Sequence, residues 1–185
     1  MAVDPGQMIR ASRRAAPCLS PCDSRHGAST ATLARQEFAV PIKDLAQLLA
    51  SLQPSLTAQR WVFICLPHAD LADEAGQVPA GSRLEQAGLE PLVTVVEAEG
   101  LTLVVPQHVA DQHAHSYEGV FRCITLNVNS DLQAVGLTAA VATALAQHHI
   151  SANVVAGFHH DHILVPDADA KRALDILQQL SAAHQ

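Results

Sequence analysis

His149, His160 and His162 stand in the spacing H-x10-H-x-H. Imidazole suits zinc, copper, iron and nickel, and alternation along a strand would put His160 and His162 on one face, a feasible pair for a transition metal. The same residues serve equally as polar groups at an oligomer edge or a pocket wall. An acid/base role for His160 with Asp161 is weaker, because adjacent strand residues point to opposite faces. No phosphate-binding glycine loop, nucleophile elbow or metalloprotease motif accompanies them in the sequence.

A second chemically suggestive stretch begins at Ser130-Asp131-Leu132-Gln133. Its S-x-x-Q form predicts a capping box opening a helix, in which the serine accepts from an early amide and the glutamine reaches back. A helix start offers unpaired amides and the positive end of a dipole, suited to a carboxylate. Asp131 would meet an amino group, and Gly136 would let backbone approach closely. A plain cap with a packing glycine explains the same residues.

The elements that must position these groups repeat. Arg60-Trp61-Val62-Phe63-Ile64-Cys65-Leu66 lies over Val120-Phe121-Arg122-Cys123-Ile124-Thr125-Leu126, and Leu103-Val104-Val105-Pro106 lies over Ile163-Leu164-Val165-Pro166, at one ungapped offset of sixty. Two copies at so long a period suit tandem small domains better than a solenoid. The second copy predicts a strand over 120–128, a helix from Ser130 to near His148 with Leu137, Val141 and Leu145 inward, strands over 150–156 and 162–165 about a Gly157 turn, and a last helix capped by Asp167. The first copy predicts a strand over 61–66, a hairpin of 92–97 with 101–105 and a short helix over 107–114. Its opening helix, within 67–88, looks degraded to loop plus a turn near Arg83. An amphipathic helix over 43–52 precedes both copies.

Each copy thus reads β-α-β-β-α, closed to βαββαβ by the next strand along. The fold class is α+β, two tandem ferredoxin-like repeats with helices on one face of antiparallel sheets. The first repeat, which is degenerate, takes 38–117 and the second 118–185. Residues 1–37 carry five arginines against three acids, with Ser, Ala, Pro and Gly between and no apolar periodicity, and read as a disordered tail.

Composition narrows the function. The chain has 185 residues, 49% of them hydrophobic, with a net charge of -7, which suits a globular core and disfavours nucleic-acid and membrane surfaces. No apolar run approaches the roughly 18 to 20 residues of a spanning helix, and no secretory signal opens the chain. Cys65 and Cys123 occupy equivalent strand positions and read as reduced core thiols, while Cys18 and Cys22 lie in the tail, which together predict a cytoplasmic setting.

The run from Leu126 through Ala142, then Ile150-Ser151-Ala152-Asn153-Val154-Val155-Ala156-Gly157, then His160-Asp161-His162 before Val165-Pro166, resembles the ACT family of small ligand-sensing domains, and most closely a bacterial tandem-ACT group. The likeness covers about residues 40–185, most strongly 118–170. It implies a non-catalytic regulatory protein that binds a small molecule, an amino acid by analogy with the ACT pairs of aspartate kinases and of the eukaryotic cytosolic arginine sensor. The sheet face that each repeat leaves uncovered predicts a homo-oligomer, and no cofactor is expected. The matching ligand positions are Asn129, Ser130, Asp131, Val135, Gly136 and Leu137, with Asn153 on the adjacent strand. The histidine spacing is similar to that of the ACT-like domain in nickel-responsive repressors, which keeps a nickel or zinc sensor as the alternative. The cysteine that pattern requires is replaced by Ala168, and no ribbon-helix-helix segment is evident. A small ferredoxin-like enzyme is the remaining alternative.

Overall fold

The structure is a computed structural model that describes residues 40–67 and 88–185. Its described elements run α1 (Leu45–Ala50), β1 (Pro54–Leu66), β2 (Val93–Val96), β3 (Leu101–Pro106), α2 (Gln107–Gln112), β4 (Phe121–Leu126), α3 (Leu137–Gln147), β5 (Asn153–Ala156), β6 (Asp161–Pro166), a 3-10 turn (Asp167–Asp169) and α4 (Ala170–Ala182). The degraded helix expected within 67–88 and the tail of 1–37 lie outside the described residues.

All six strands form one antiparallel sheet in the order β2-β3-β1-β4-β6-β5. Each repeat contributes three strands, and the position of the fourth is filled by the other repeat's first strand. For the first repeat the next strand along, β4, closes the sheet as expected. For the second, the closing strand comes from earlier in the chain: Pro54, Ser55 and Leu56 of β1 pair with Leu126, Thr125 and Ile124. After a register shift between Leu56 and Arg60, Arg60 and Trp61 pair with Arg122 and Phe121 of β4, and from Trp61 on β1 pairs with β3. A bulge of this kind bends one strand and increases its twist.

Apolar alternation sets the faces. Val62 and Ile64 of β1, Leu101, Leu103 and Val105 of β3, and Val109 and Ala110 of α2 bury together under the first repeat. Ile124, Leu126, Ile163 and Val165 bury with Leu137, Val141 and Leu145 of α3 and Ala173 and Leu177 of α4 under the second. Leu48, Leu49 and Leu52 join that second cluster, so α1, which precedes the first repeat in sequence, packs on the other one. Asp44 caps it by accepting from the Gln47 amide at 2.9 Å. On the opposite face Val104, Cys123 and Leu164 bury among Trp61, Phe63, Phe121 and Val155, and among the described residues no helix residue belongs to this cluster.

Three local expectations need correction. Residues 130–133 form no capping box: α3 starts at Leu137, with Gly136 as its N-cap in a left-handed conformation of φ 104°. Asp167 does not cap the last helix; its carboxylate faces the Arg60 and Arg122 guanidiniums at 3.2 and 3.4 Å. Cys123 is buried, whereas Cys65 is exposed, being near the end of β1 and beyond the reach of the open-face cluster.

Candidate functional site

After β4 the chain is pinned to the segment before α1 by a parallel bridge between Ile42 and Ser130. The Ile42 amide donates to the Asn129 carbonyl at 2.9 Å and the Asp131 amide to the Ile42 carbonyl at 3.0 Å. Asp131 then folds the loop on itself. Its Oδ1 accepts from the Gln133 amide at 2.8 Å and its carbonyl from the Ala134 amide at 2.8 Å, an Asx turn where the sequence suggested a helix cap. Its Oδ2 lies 3.4 Å from the Lys43 Nζ.

Ser130 points inward, donating to Asp161 Oδ2 at 3.4 Å, with both residues buried. This contact ties the loop to the start of β6 and to the turn before it, in which the Gly157 amide donates to the His160 carbonyl at 3.1 Å. Gly157 allows that closure, since a Cβ there would lie 2.5 Å from the His160 oxygen. Phe158 and His159 stand edge to face at 4.9 Å between ring centres.

Pro41, the loop of Asn129, Ser130, Asp131, Leu132 and Gln133, and the turn of Phe158 and His159 enclose a cleft of about 570 Å3. Leu132 and Phe158 are 64% and 76% exposed, an apolar wall left open to solvent. The cleft therefore combines a carboxylate, polar backbone and apolar surface, the composition that fixes and orients a small ligand.

Of the residues singled out in the sequence, Asn129, Ser130 and Asp131 meet at this cleft. Val135 is exposed on the same loop but is not part of its wall, Gly136 packs against the Leu45 side chain, and Leu137 is in the core. Asn153 is on β5, where its side-chain amide donates to the Leu164 carbonyl at 3.3 Å. Leu132 and Gln133, read in the sequence only as part of a helix cap, also line the cleft, and so do Pro41, Phe158 and His159, which belong to no motif.

The three histidines do not converge. His149 is exposed in a left-handed turn after α3, at φ 58°. His160 precedes β6, where strand alternation no longer governs it, and its Nδ1 lies 3.3 Å from the Val128 carbonyl oxygen. His162 lies on the open sheet face, its Nδ1 at 3.0 Å from Thr125 Oγ1 and 4.0 Å from Cys123 Sγ. Burial, then the charge of His160, pushes the His162 imidazole below its ordinary value, partly opposed by Asp161. Burial pushes the Cys123 thiol up, partly opposed by hydrogen bonds from Thr125 and Ile163. Both groups are therefore biased to neutrality, unlike an activated thiolate and imidazolium pair. Among the described residues no group of three or more His, Cys, Asp or Glu could hold a metal ion, and no helix is long and apolar enough to cross a membrane.

Models of the ACT domain match residues 40–122 and 118–179. A Vibrio cholerae protein of unknown function, described as a possible transport protein, is 42% identical; the match covers 74% of this chain and 95% of that one at a TM-score of 0.61. The ligand-free regulatory subunit of aspartate kinase from Thermus thermophilus is 11% identical, with 70% and 97% covered at a TM-score of 0.52. Clostridium acetobutylicum aspartate kinase is 14% identical, with 70% of this chain and 34% of that one covered at 0.51. The last two likenesses concern the fold alone. No protein of curated function matches the chain.

Proposed function

The chain belongs to the ACT-domain family, with two such domains in tandem, and from that premise we propose that it is a cytoplasmic regulatory protein whose cleft binds a free amino acid. The observation that carries this reading is the pairing of charges beside the cleft, Asp131 Oδ2 with Lys43 Nζ at 3.4 Å. An α-amino acid presents the complementary pair. Its ammonium takes Asp131, its carboxylate takes Lys43, and its side chain lies against Leu132 and Phe158. A volume of about 570 Å3 is within the roughly 300 to 1,000 Å3 of ordinary ligand pockets.

The fold shared with aspartate kinase regulatory subunits supports a regulatory output over a catalytic one. The reading includes a homo-oligomer, because half-buried Trp61, Phe63 and Phe121 stand on a sheet face with no described helix over it.

A thermal-shift screen of the twenty amino acids on the full chain tests the proposal. Saturation at about 100 times the dissociation constant adds about 2.7 kcal/mol of stability. Asp131→Asn keeps the acceptor for the Gln133 amide but loses the charge, and should weaken the amino acid found about tenfold or more. No shift with any amino acid, or undiminished affinity in Asp131→Asn, would overturn it.

A further inference from the structure

A second cleft opens where the two repeats join. Arg60 of β1 and Arg122 of β4 are direct register partners. Like charges facing each other on adjacent strands repel, so the pair needs a counter-charge. Asp167 supplies one, with Oδ2 at 3.2 Å from Arg60 Nη2 and Oδ1 at 3.4 Å from Arg122 Nη1. Arg122 is further fixed by donating from Nε and Nη2 to the Thr57 carbonyl, at 3.0 and 2.6 Å, inside the β1 irregularity. Two guanidiniums against one carboxylate leave a formal charge of +1.

The sixty-residue offset identifies the residue beside this charge that could have answered it. Gln107 follows Pro106 at the end of β3 as Asp167 follows Pro166 at the end of β6. The second repeat places a carboxylate at this point and the first places a neutral amide, whose Nε2 donates to the Tyr117 hydroxyl at 3.1 Å. Beside that amide is a void of about 370 Å3, lined by Gln59, Arg60, Gln107, His108 and Arg122 with Ala58.

We propose that this cleft binds a small oxyanion, a carboxylate or a phosphate, which completes the neutralisation of Arg60 and Arg122 that Asp167 begins. Arg122 is held ready by its two bonds to Thr57, so little ordering is lost on binding. Arg60, with its side chain 57% exposed, turns from solvent to the ligand. Both anion types share the planar or tetrahedral oxygens that guanidinium recognises in two-point contacts.

The test is calorimetric titration of the full chain with inorganic phosphate and, separately, with acetate. One equivalent of at least one of them should bind. Arg60→Gln should weaken that binding about tenfold or more. Gln107→Asp supplies the carboxylate covalently, and should abolish binding while raising the melting temperature. It also keeps the proposal testable should Arg60→Gln fail to fold. His162→Gln, on the open sheet face and outside both clefts, should leave the anion affinity unchanged. Absence of heat with both anions would sink the proposal, as would binding indifferent to both Arg60→Gln and Gln107→Asp.

Discussion

Strands β3 and β6 close off the same positions: the first, third, fourth and fifth of each six are buried. Yet the first is Leu101 in one and Asp161 in the other, 3% and 8% exposed. A buried carboxylate is costly unless it is satisfied, and the donor to Asp161 is Ser130 of the cleft loop. The same contrast recurs between β1 and β4, where Val62 is wholly buried and its counterpart Arg122 reaches across to Thr57 and Asp167. One backbone frame thus supports two regimes. The first repeat fills its equivalent positions with hydrocarbon, and the second uses two of them for polar groups that tie down the walls of the two clefts.

The largest expected effect tests whether the repeats are one folding unit. Leu103 and Ile163 are counterparts and fully buried, one in each helix-side cluster. Leu103→Ala and Ile163→Ala should each cost about 2 to 5 kcal/mol. Because β1 pairs with both β3 and β4, both losses should appear in one cooperative transition, followed by circular dichroism during urea unfolding. Two separated transitions in either variant would show the repeats unfolding independently and break the comparison.

A smaller effect sharpens it at the cleft loop. The helix signal in Ser130-x-x-Gln133 suggests that Gly136 is an ordinary helical residue that valine could replace cheaply. In the structure Gly136 is at φ 104° and an added Cβ would meet Leu45 Cδ2 at 2.9 Å. A side chain forced into that conformation costs on the order of 1 to 3 kcal/mol, so Gly136→Ala should lower stability by about that much. Adding Leu45→Ala should not restore it, because the crowding is relieved and the backbone strain is not. Full recovery in the double variant would assign the loss to crowding alone.

What the sequence made legible follows the same division. Alternation of Val62, Ile64, Leu103 and Val105 against their counterparts is a local pattern, and it predicts the paired repeats and the hairpins correctly. The helix over α3 was legible at its end but not at its start. Ser130 has a partner 31 residues away in Asp161, and the loop is held by Ile42; both outcompete the cap. Asp167 resembles a cap for the same reason, since Arg60, its partner, lies far off in sequence. Of the cleft, Asn129 to Asp131 are contiguous and carry a visible motif, whereas Pro41 and Phe158 are brought in by the bridge and the turn. Packing of α1 on the second repeat had no signal at all, because an amphipathic stripe does not name its partner.

The smallest effect concerns the open sheet face, where Thr102 and His162 are counterparts. Thr102 donates to Glu97, and His162 pairs with Thr125 above the Cys123 thiol. Burial depresses the His162 value, with His160 adding to the shift and Asp161 opposing it. Between the depressed folded value and the ordinary unfolded one, the unfolded chain binds more protons, so stability rises with pH there. The contribution is intact above the ordinary histidine range and is lost as pH falls toward the folded value. The chain holds other histidines, so the informative quantity is the difference between two proteins. Melting temperature should fall less between about pH 7.5 and about pH 5.5 in His162→Gln than in the unmodified chain. An equal fall in both would mean that the open face tolerates the imidazolium, and that His162 is as indifferent to pH as its threonine counterpart.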